Sequence, residues 1–255
     1  MIELKSPAEI EMIRAAGRVV ATVHAEVKAH AVAGVTLREL DEVARKVIDS
    51  AGAGSSFLGY HPRFGATPFP GVICTSVNEV MLHGLPTDYR LRDGDLLSVD
   101  CGAYVDGWHA DAAVSFVVGE PKPEDLALIE ATERCLAAGI EAARPGARMG
   151  DIAHAMSTVG RAAGYGMQND FGGHGIGRAM HEEPFVPNEG VPGRGLKLTP
   201  GLVIAIEPSL MAGGRDDYRM ADDGWSLCTT DGSRSAHVEH TVAITEDGPR
   251  ILTVQ

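Results

Sequence analysis

Apolar residues recur at three- and four-residue spacing over residues 7 to 32 and 36 to 51, and again over roughly 123 to 143 and 148 to 163. That is the period of one buried helix face, so the chain predicts two pairs of amphipathic helices. Ser6-Pro7 opens the first helix as N-cap and first helical residue. After the first pair the pattern changes to apolar strands, "LRDGDLLSVDCGAYV" and "WHADAAVSF", joined by Asp106-Gly107. Asp-Gly between two apolar runs is a strong signal for a two-residue hairpin turn. With Val105 facing Trp108, Asp111 falls opposite Gly102. Asp100 then lies diagonal to Asp111 on the same face, with Cα atoms about 7 Å apart. Asp106 is left as a turn residue, and two acids share a face otherwise fit for the inside of a sheet.

The pattern repeats. "GVTLRELDEVARKVIDSAG" (34 to 52) overlays "GARMGDIAHAMSTVGRAAG" (146 to 164) at an offset of 112. "LRDGDLLSVD" (91 to 100) overlays "LTPGLVIAIE" (198 to 207) at an offset of 107, placing Asp100 on Glu207. "WHADAAVSF" (108 to 116) overlays "AHVEHTVAI" (236 to 244) at an offset of 128, placing His109 on His237 and Asp111 on Glu239. The expectation is an α+β fold with pseudo-twofold symmetry, its halves spanning about 7–119 and 123–247 of a single catalytic domain over 1–255. Each half supplies two helices to the outer face and antiparallel strands to a central sheet. The Gly- and Pro-rich stretches at 59 to 72 and 184 to 201 are short and read as loops, not linkers.

Four carboxylates then converge between apolar neighbours. They repel one another and lose hydration unless protons or a cation intervene, and four make protons alone a poor answer. Two divalent metals sharing bridging carboxylates would satisfy them while polarising one water. Solvated acids on an open sheet face and a paired-acid glycosidase site remain as other readings. "NDFGGHGIGRAMHEEP" (169 to 184) sets His174 among glycines that let backbone come close. A nitrogen donor there tilts the site from magnesium or calcium toward manganese, iron, cobalt, zinc or nickel. The same glycines could cradle phosphate, but no G-K-[ST] follows them and no Rossmann strand and helix surround a G-x-G-x-x-G. "NEVMLHGLP" (78 to 86) offers His83 between turn residues; taken alone, His83 or His181 reads as a structural or surface histidine.

Composition narrows the classes. A net charge of −13 argues against broad binding to nucleic acid or anionic lipid. No apolar run approaches the roughly 18 residues needed to span a bilayer, and the first residues lack a signal peptide's apolar centre. The expectation is a cytoplasmic protein. Cys74, Cys101, Cys135 and Cys228 form no C-x-x-C pair and suit buried, reduced thiols, with Cys101 kept in view for its place beside Asp100.

Together, "NEVMLHGLP", "SVDCGAYVDGWHADAAVSF", "GHGIGRAMHEEP", "IAIEP" and "AHVEHT" resemble the motif set of type I methionine aminopeptidases of the pita-bread fold, from about residue 3 to the end. The resemblance implies removal of the initiator methionine from nascent polypeptides whose second residue is small. It makes Asp100, Asp111, His174, Glu207 and Glu239 the ligands of two divalent metals. Asp111 and Glu239 would bridge, Asp100 would bind one metal, and His174 with Glu207 the other. A metal-bridging water or hydroxide would attack the scissile carbonyl, His181 would stabilise the resulting oxyanion, His83 would hydrogen-bond the amide or leaving amine, and Glu207 would shuttle the proton. Tyr60, Cys74, His83 and Trp225 would wall the methionine pocket, with Phe57, Phe69 and Met180 beside them. The expected partners are nascent chains and, transiently, the ribosome, with a monomeric enzyme and no membrane.

This chain departs from the pattern in its longer 59 to 72 stretch and in Met180, which stands where the family commonly has Phe. Met1-Ile2 would keep its own initiator under the small-residue rule. The other functional readings are an X-Pro peptidase of the aminopeptidase P or prolidase kind and a metal-free binding module on the same fold.

Overall fold

The computed structural model describes residues 2–62 and 67–255. Met1 and residues 63–66 of the long 59 to 72 stretch lie outside the described residues. Four helices form where the periodicity places them: α1 (Pro7–His30), α2 (Leu37–Ser50), α3 (Pro123–Ala142) and α4 (Met149–Ala162). Local chemistry sets the first two starts. The Ser6 hydroxyl accepts from Glu9 N while Glu9 reaches back to Ser6 N, and Thr36 and Glu39 repeat this box on α2.

The strands are β1 (Gly54–Ser55), β2 (Cys74–Val77), β3 (Val80–Leu82), β4 (Leu96–Val105), β5 (Trp108–Val117), β6 (Gly173–Gly175) and β7 (Glu182–Val186). In the second half follow β8 (Val203–Ile206), β9 (Ser209–Met211), β10 (Tyr218–Met220), β11 (Leu227–Thr229), β12 (Ser235–His237), β13 (Glu239–Thr245) and β14 (Gly248–Ile251). A nine-stranded sheet runs β1-β4-β5-β13-β8-β6-β7, with β2 beside β4 and β14 beside β13. Its pairings are antiparallel.

Each helix pair covers its own half. Val20, Val23, Leu40 and Ile48 pack on Leu97, Val99 and Cys101 in one core. Leu128, Cys135, Ile152 and Met156 pack on Leu96, Ile204, Ile206 and Val242 in the other. Burying a side chain of this size contributes about 1.5–3 kcal/mol, so these faces fix the helices to one side of the sheet. The opposite side is left for the acids. The four cysteines are free and buried.

The first hairpin has the predicted register: Val105 pairs with Trp108, Gly102 with Asp111, and Asp100 with Ala113. Asp106 and Gly107 take φ of 50° and 76°, as a type I′ turn requires. The second half departs from its template. The stretch 236 to 244 is broken at Val238 into β12 and β13, and β8 stops at Ile206, before Glu207-Pro208. Pro208 has no N–H to give a ladder, so the strand cannot run on as β4 does. His240 pairs with Ile206 and His237 with Ser209, a register that sets Glu207 directly across from Glu239. Asp100 and Asp111 are diagonal; their counterparts are face to face.

Candidate metal centre and substrate pocket

The hairpin β4–β5 delivers Asp100 and Asp111, the start of β13 delivers Glu239, and the break after β8 leaves Glu207 pointing into the same space. His174 arrives on β6. A Cβ on Gly173 would collide with the Ala205 carbonyl and one on Gly175 with the Glu183 carbonyl, so only glycines let β6 lie this close to its neighbours. Donor atoms of Asp111, His174 and Glu239 lie within 4.8 Å of one another, as do those of Glu207, His237 and Glu239. His174 Nε2 stands 3.6 Å from Glu207 Oε1.

These groups fit a divalent cation pair. Asp100 Oδ1, Asp111 Oδ1 and Glu239 Oε1 are buried without a hydrogen-bond partner, a costly state for carboxylate oxygens unless something positive meets them. His174 donates its Nδ1 proton to the Gly175 carbonyl at 2.9 Å, which leaves Nε2 with its lone pair toward the acids. In the bare protein, burial followed by the charges of Asp111 and Glu207 pushes the Asp100 carboxyl well above its usual range. Glu239 is raised by burial and then by Asp111 and Glu207. Asp111 is pushed up to about 6, again first by burial. Burial acts on Glu207 in the same sense, but the imidazoles of His237 and His174 outweigh it and its pKa is lowered. The mixed oxygen and nitrogen donor set suits a first-row transition metal.

The acids form the floor of a cavity of about 490 Å³. The thirteen residues singled out from the sequence for the metal site and the pocket all line it: Phe57, Tyr60, Phe69, Cys74, His83, Asp100, Asp111, His174, Met180, His181, Glu207, Trp225 and Glu239. Phe57, Phe69, Cys74, Met180 and Trp225 make one apolar cluster, with Phe69 edge-on to Trp225 at 5.1 Å and to Phe57 at 6.2 Å. The Trp225 indole donates to the Thr67 carbonyl at 3.0 Å, tying this wall to the stretch after residue 66.

His181 and His83 both line the cavity. The His181 ring packs 4.2 Å from that of His174 and 5.2 Å from Tyr60. Its exposed surface opens on the cavity; the protein packed around it, and then His174, lower its pKa and keep it neutral. His83 occupies a left-handed turn position, φ 59°, where Gly84 N donates to Ser76 Oγ at 3.1 Å and Thr75 N to the Gly84 carbonyl at 2.7 Å. Burial lowers its pKa to about 4. Both imidazoles can donate one N–H without carrying charge.

Two features escaped the sequence reading. Asp170, Phe171 and Phe185 join the cavity lining, the first two directly ahead of the glycine run that signalled His174. His237 enters the acid cluster, its Nε2 3.7 Å from Glu207 Oε2. The repeat had flagged it as the counterpart of His109.

Buried acids under an apolar pocket are the layout of a metallopeptidase, and residues 11–246 match metallopeptidase family M24. The chain belongs to that family, among its methionine aminopeptidases. It is 48% identical to methionine aminopeptidase 1 of Mycobacterium tuberculosis, over 100% of this chain and 96% of the relative. With methionine aminopeptidase 1 of Bacillus subtilis it shares 43% identity over 99% of each. Its fold superposes on the crystal structure of methionine aminopeptidase from Thermotoga maritima with a TM-score of 0.95, at 38% identity over the whole of both chains. A prolidase from Pyrococcus furiosus shares the fold at 23% identity and a TM-score of 0.77, over 99% of this chain and 65% of that one. As an M24 metallopeptidase the protein is a hydrolase of the pita-bread fold.

Proposed function

We propose that this protein removes the N-terminal methionine from polypeptides whose second residue is small. The observation that carries the reading is an apolar pocket, walled by Phe57, Phe69, Cys74, Met180 and Trp225, that ends on the acid and histidine cluster. An unbranched thioether chain suits such a wall, and Met180 can adapt to it. Asp100, Asp111, His174, Glu207 and Glu239 would hold two divalent ions, drawn from cobalt, manganese, iron, zinc or nickel. Bound there, the ions supply Lewis acidity and make water nucleophilic at neutral pH.

The protein's own groups do the rest. Tyr60 and the aromatic wall exclude water and fix the methionine side chain, so the scissile carbonyl rests above the acids. Neutral His181 donates an N–H to the carbonyl oxygen as negative charge grows on it. Neutral His83 is placed to hydrogen-bond the amide nitrogen. Glu207, ionised because of its imidazole neighbours, accepts the proton of the attacking water and passes it to the departing amine. The same reading makes the enzyme a cytoplasmic monomer that acts on newly made chains and meets the ribosome in passing; no helix among the described residues is long and apolar enough to cross a membrane.

The test is peptide choice. Protein loaded with Mn²⁺ or Co²⁺ is expected to release methionine from Met-Ala-Ser, far more slowly from Met-Leu-Ser, and to spare X-Pro dipeptides. Rapid X-Pro cleavage without methionine release would make it a proline-directed peptidase. Absence of divalent-metal binding and of any hydrolysis would leave a binding module.

A further inference from the structure

The two oxygens of Glu207 face two different imidazoles. Oε1 looks toward His174 Nε2 at 3.6 Å and Oε2 toward His237 Nε2 at 3.7 Å. These rings are not prepared alike. His174 spends its Nδ1 proton on the Gly175 carbonyl and so offers a lone pair at Nε2. The His237 side chain has no such anchor among the described residues; its hydrogen bonds run through the main chain, and its Nε2 is buried without a partner. An imidazole whose Nδ1 is not committed as a donor can carry its proton on Nε2.

We propose that His237 is a positioning residue, holding Oε2 of Glu207 by an Nε2–H hydrogen bond so that Oε1 is aimed at the metal shared with His174. The inference rests on the dimetal reading above. A ligating carboxylate needs its second oxygen satisfied, and the outer partner that does so orients the ligand. A slide of well under 1 Å closes the 3.7 Å gap to a hydrogen bond.

The backbone of His237 is fixed by the other half of the molecule. Its N–H donates to Ser115 Oγ at 3.0 Å and Ser98 Oγ at 3.3 Å, and Ser115 Oγ donates to its carbonyl at 2.7 Å. Ser98 and Ser115 face each other across the first hairpin, 2.8 Å apart, and both are buried. The first hairpin thus aims a side chain at an acid of the second half.

The duplicated partner makes the case sharper. His109 sits at the matching place but pairs with Tyr104, and its Nδ1 meets Ser56 Oγ at 2.8 Å, outside the acid cluster. The face-to-face register of Glu207 and Glu239 brings His237 to its acid; the diagonal register of Asp100 and Asp111 leaves His109 away from its own. One helper histidine is expected, not two.

Equilibrium binding of Co²⁺ to the apoprotein by calorimetry, with the visible spectrum of the Co²⁺ form, tests this. His237→Leu should weaken the site containing Glu207 by about 10–100-fold, the range for losing an outer hydrogen bond to a ligand. His237→Gln, whose amide N–H reaches a similar point, should restore most of that affinity and the wild-type spectrum, and His109→Gln should leave both unchanged. Wild-type affinity in His237→Leu overturns the proposal. Failure of glutamine to rescue, with a spectral shift showing a lost nitrogen donor, would make His237 a direct ligand and overturns it too. If wild-type protein binds no Co²⁺, the dimetal reading itself fails, an outcome distinct from the other two.

Discussion

At the scale of single residues, the site separates groups that hold charge from groups that stay neutral. Asp111 and Glu239 are almost fully buried, at 4% and 2% exposure, and each leaves a carboxylate oxygen unpaired. Removing one of those charges with almost no change in volume therefore tests electrostatics alone. Asp111→Asn or Glu239→Gln should lower methionine release by more than about 100-fold, beyond what disturbing a ligand's support costs. Metal analysis should show the loss of bound ion alongside it. His181 differs, because it touches the ring of His174 but lies outside both groups of clustered donor atoms. His181→Ala should cost about 10²–10³ in kcat, the range for one oxyanion donor. Its metal content should be unchanged; metal lost along with activity would reassign His181 as a ligand.

At the scale of elements, the hairpin β4–β5 explains why three nearby aspartates have two fates. Asp106 is in the left-handed region at φ 50°, beside Gly107 at 76°, and supports the turn instead of the chemistry. Asp106→Asn, a residue equally at home there, should keep activity and melting temperature. Gly107→Val places a β-branched residue at positive φ and should cost about 1–2 kcal/mol or more, read as a lower denaturant midpoint. Equal loss of activity in both variants would mean that Asp106 does more than turn the chain. This hairpin was legible because period-2 patterning and Asp-Gly chemistry are local. The helix starts at Ser6 and Thr36 were legible for the same reason. The slipped register of the second half was not, because Pro208 ends β8 and the spacing of acids along the chain carries no record of which residue they face. His237 was missed on that account: its distance from Glu207 depends on the pairing, not on its neighbours in sequence. The thirteen residues that do meet in the cavity were found by pattern and by family resemblance together; the hairpin and the repeat reached the four acids, and the glycine run reached His174.

At the scale of the molecule, two halves can be held apart or together by the charges they share. Without metal, Asp111 keeps its proton up to about pH 6 in the folded protein, against about 4 for an unfolded aspartate, while Asp100 and Glu239 move the same way. Between those values the folded state binds more protons than the unfolded one, so these acids make the apoprotein less stable as pH rises through that window. Buried histidines act in the opposite sense. Burial lowers His24 to about 3 and lowers His240 as well, so their contribution is lost on acidification and recovered as pH rises. A bare apoprotein melting curve against pH would mix the two effects and could rise or fall. The difference between metal-loaded and metal-free protein removes the part due to His24 and His240, which lie away from the acid cavity, on the side of the sheet that the helices cover. A cation displaces the acids' protons and turns their repulsion into attraction, so binding strengthens with pH wherever protons must leave. The gap in melting temperature between Mn²⁺-loaded and chelator-treated protein should therefore widen steadily from pH 5 to pH 7.5. A gap that stays constant or narrows over that range would mean that the four carboxylates do not hold the metal ions.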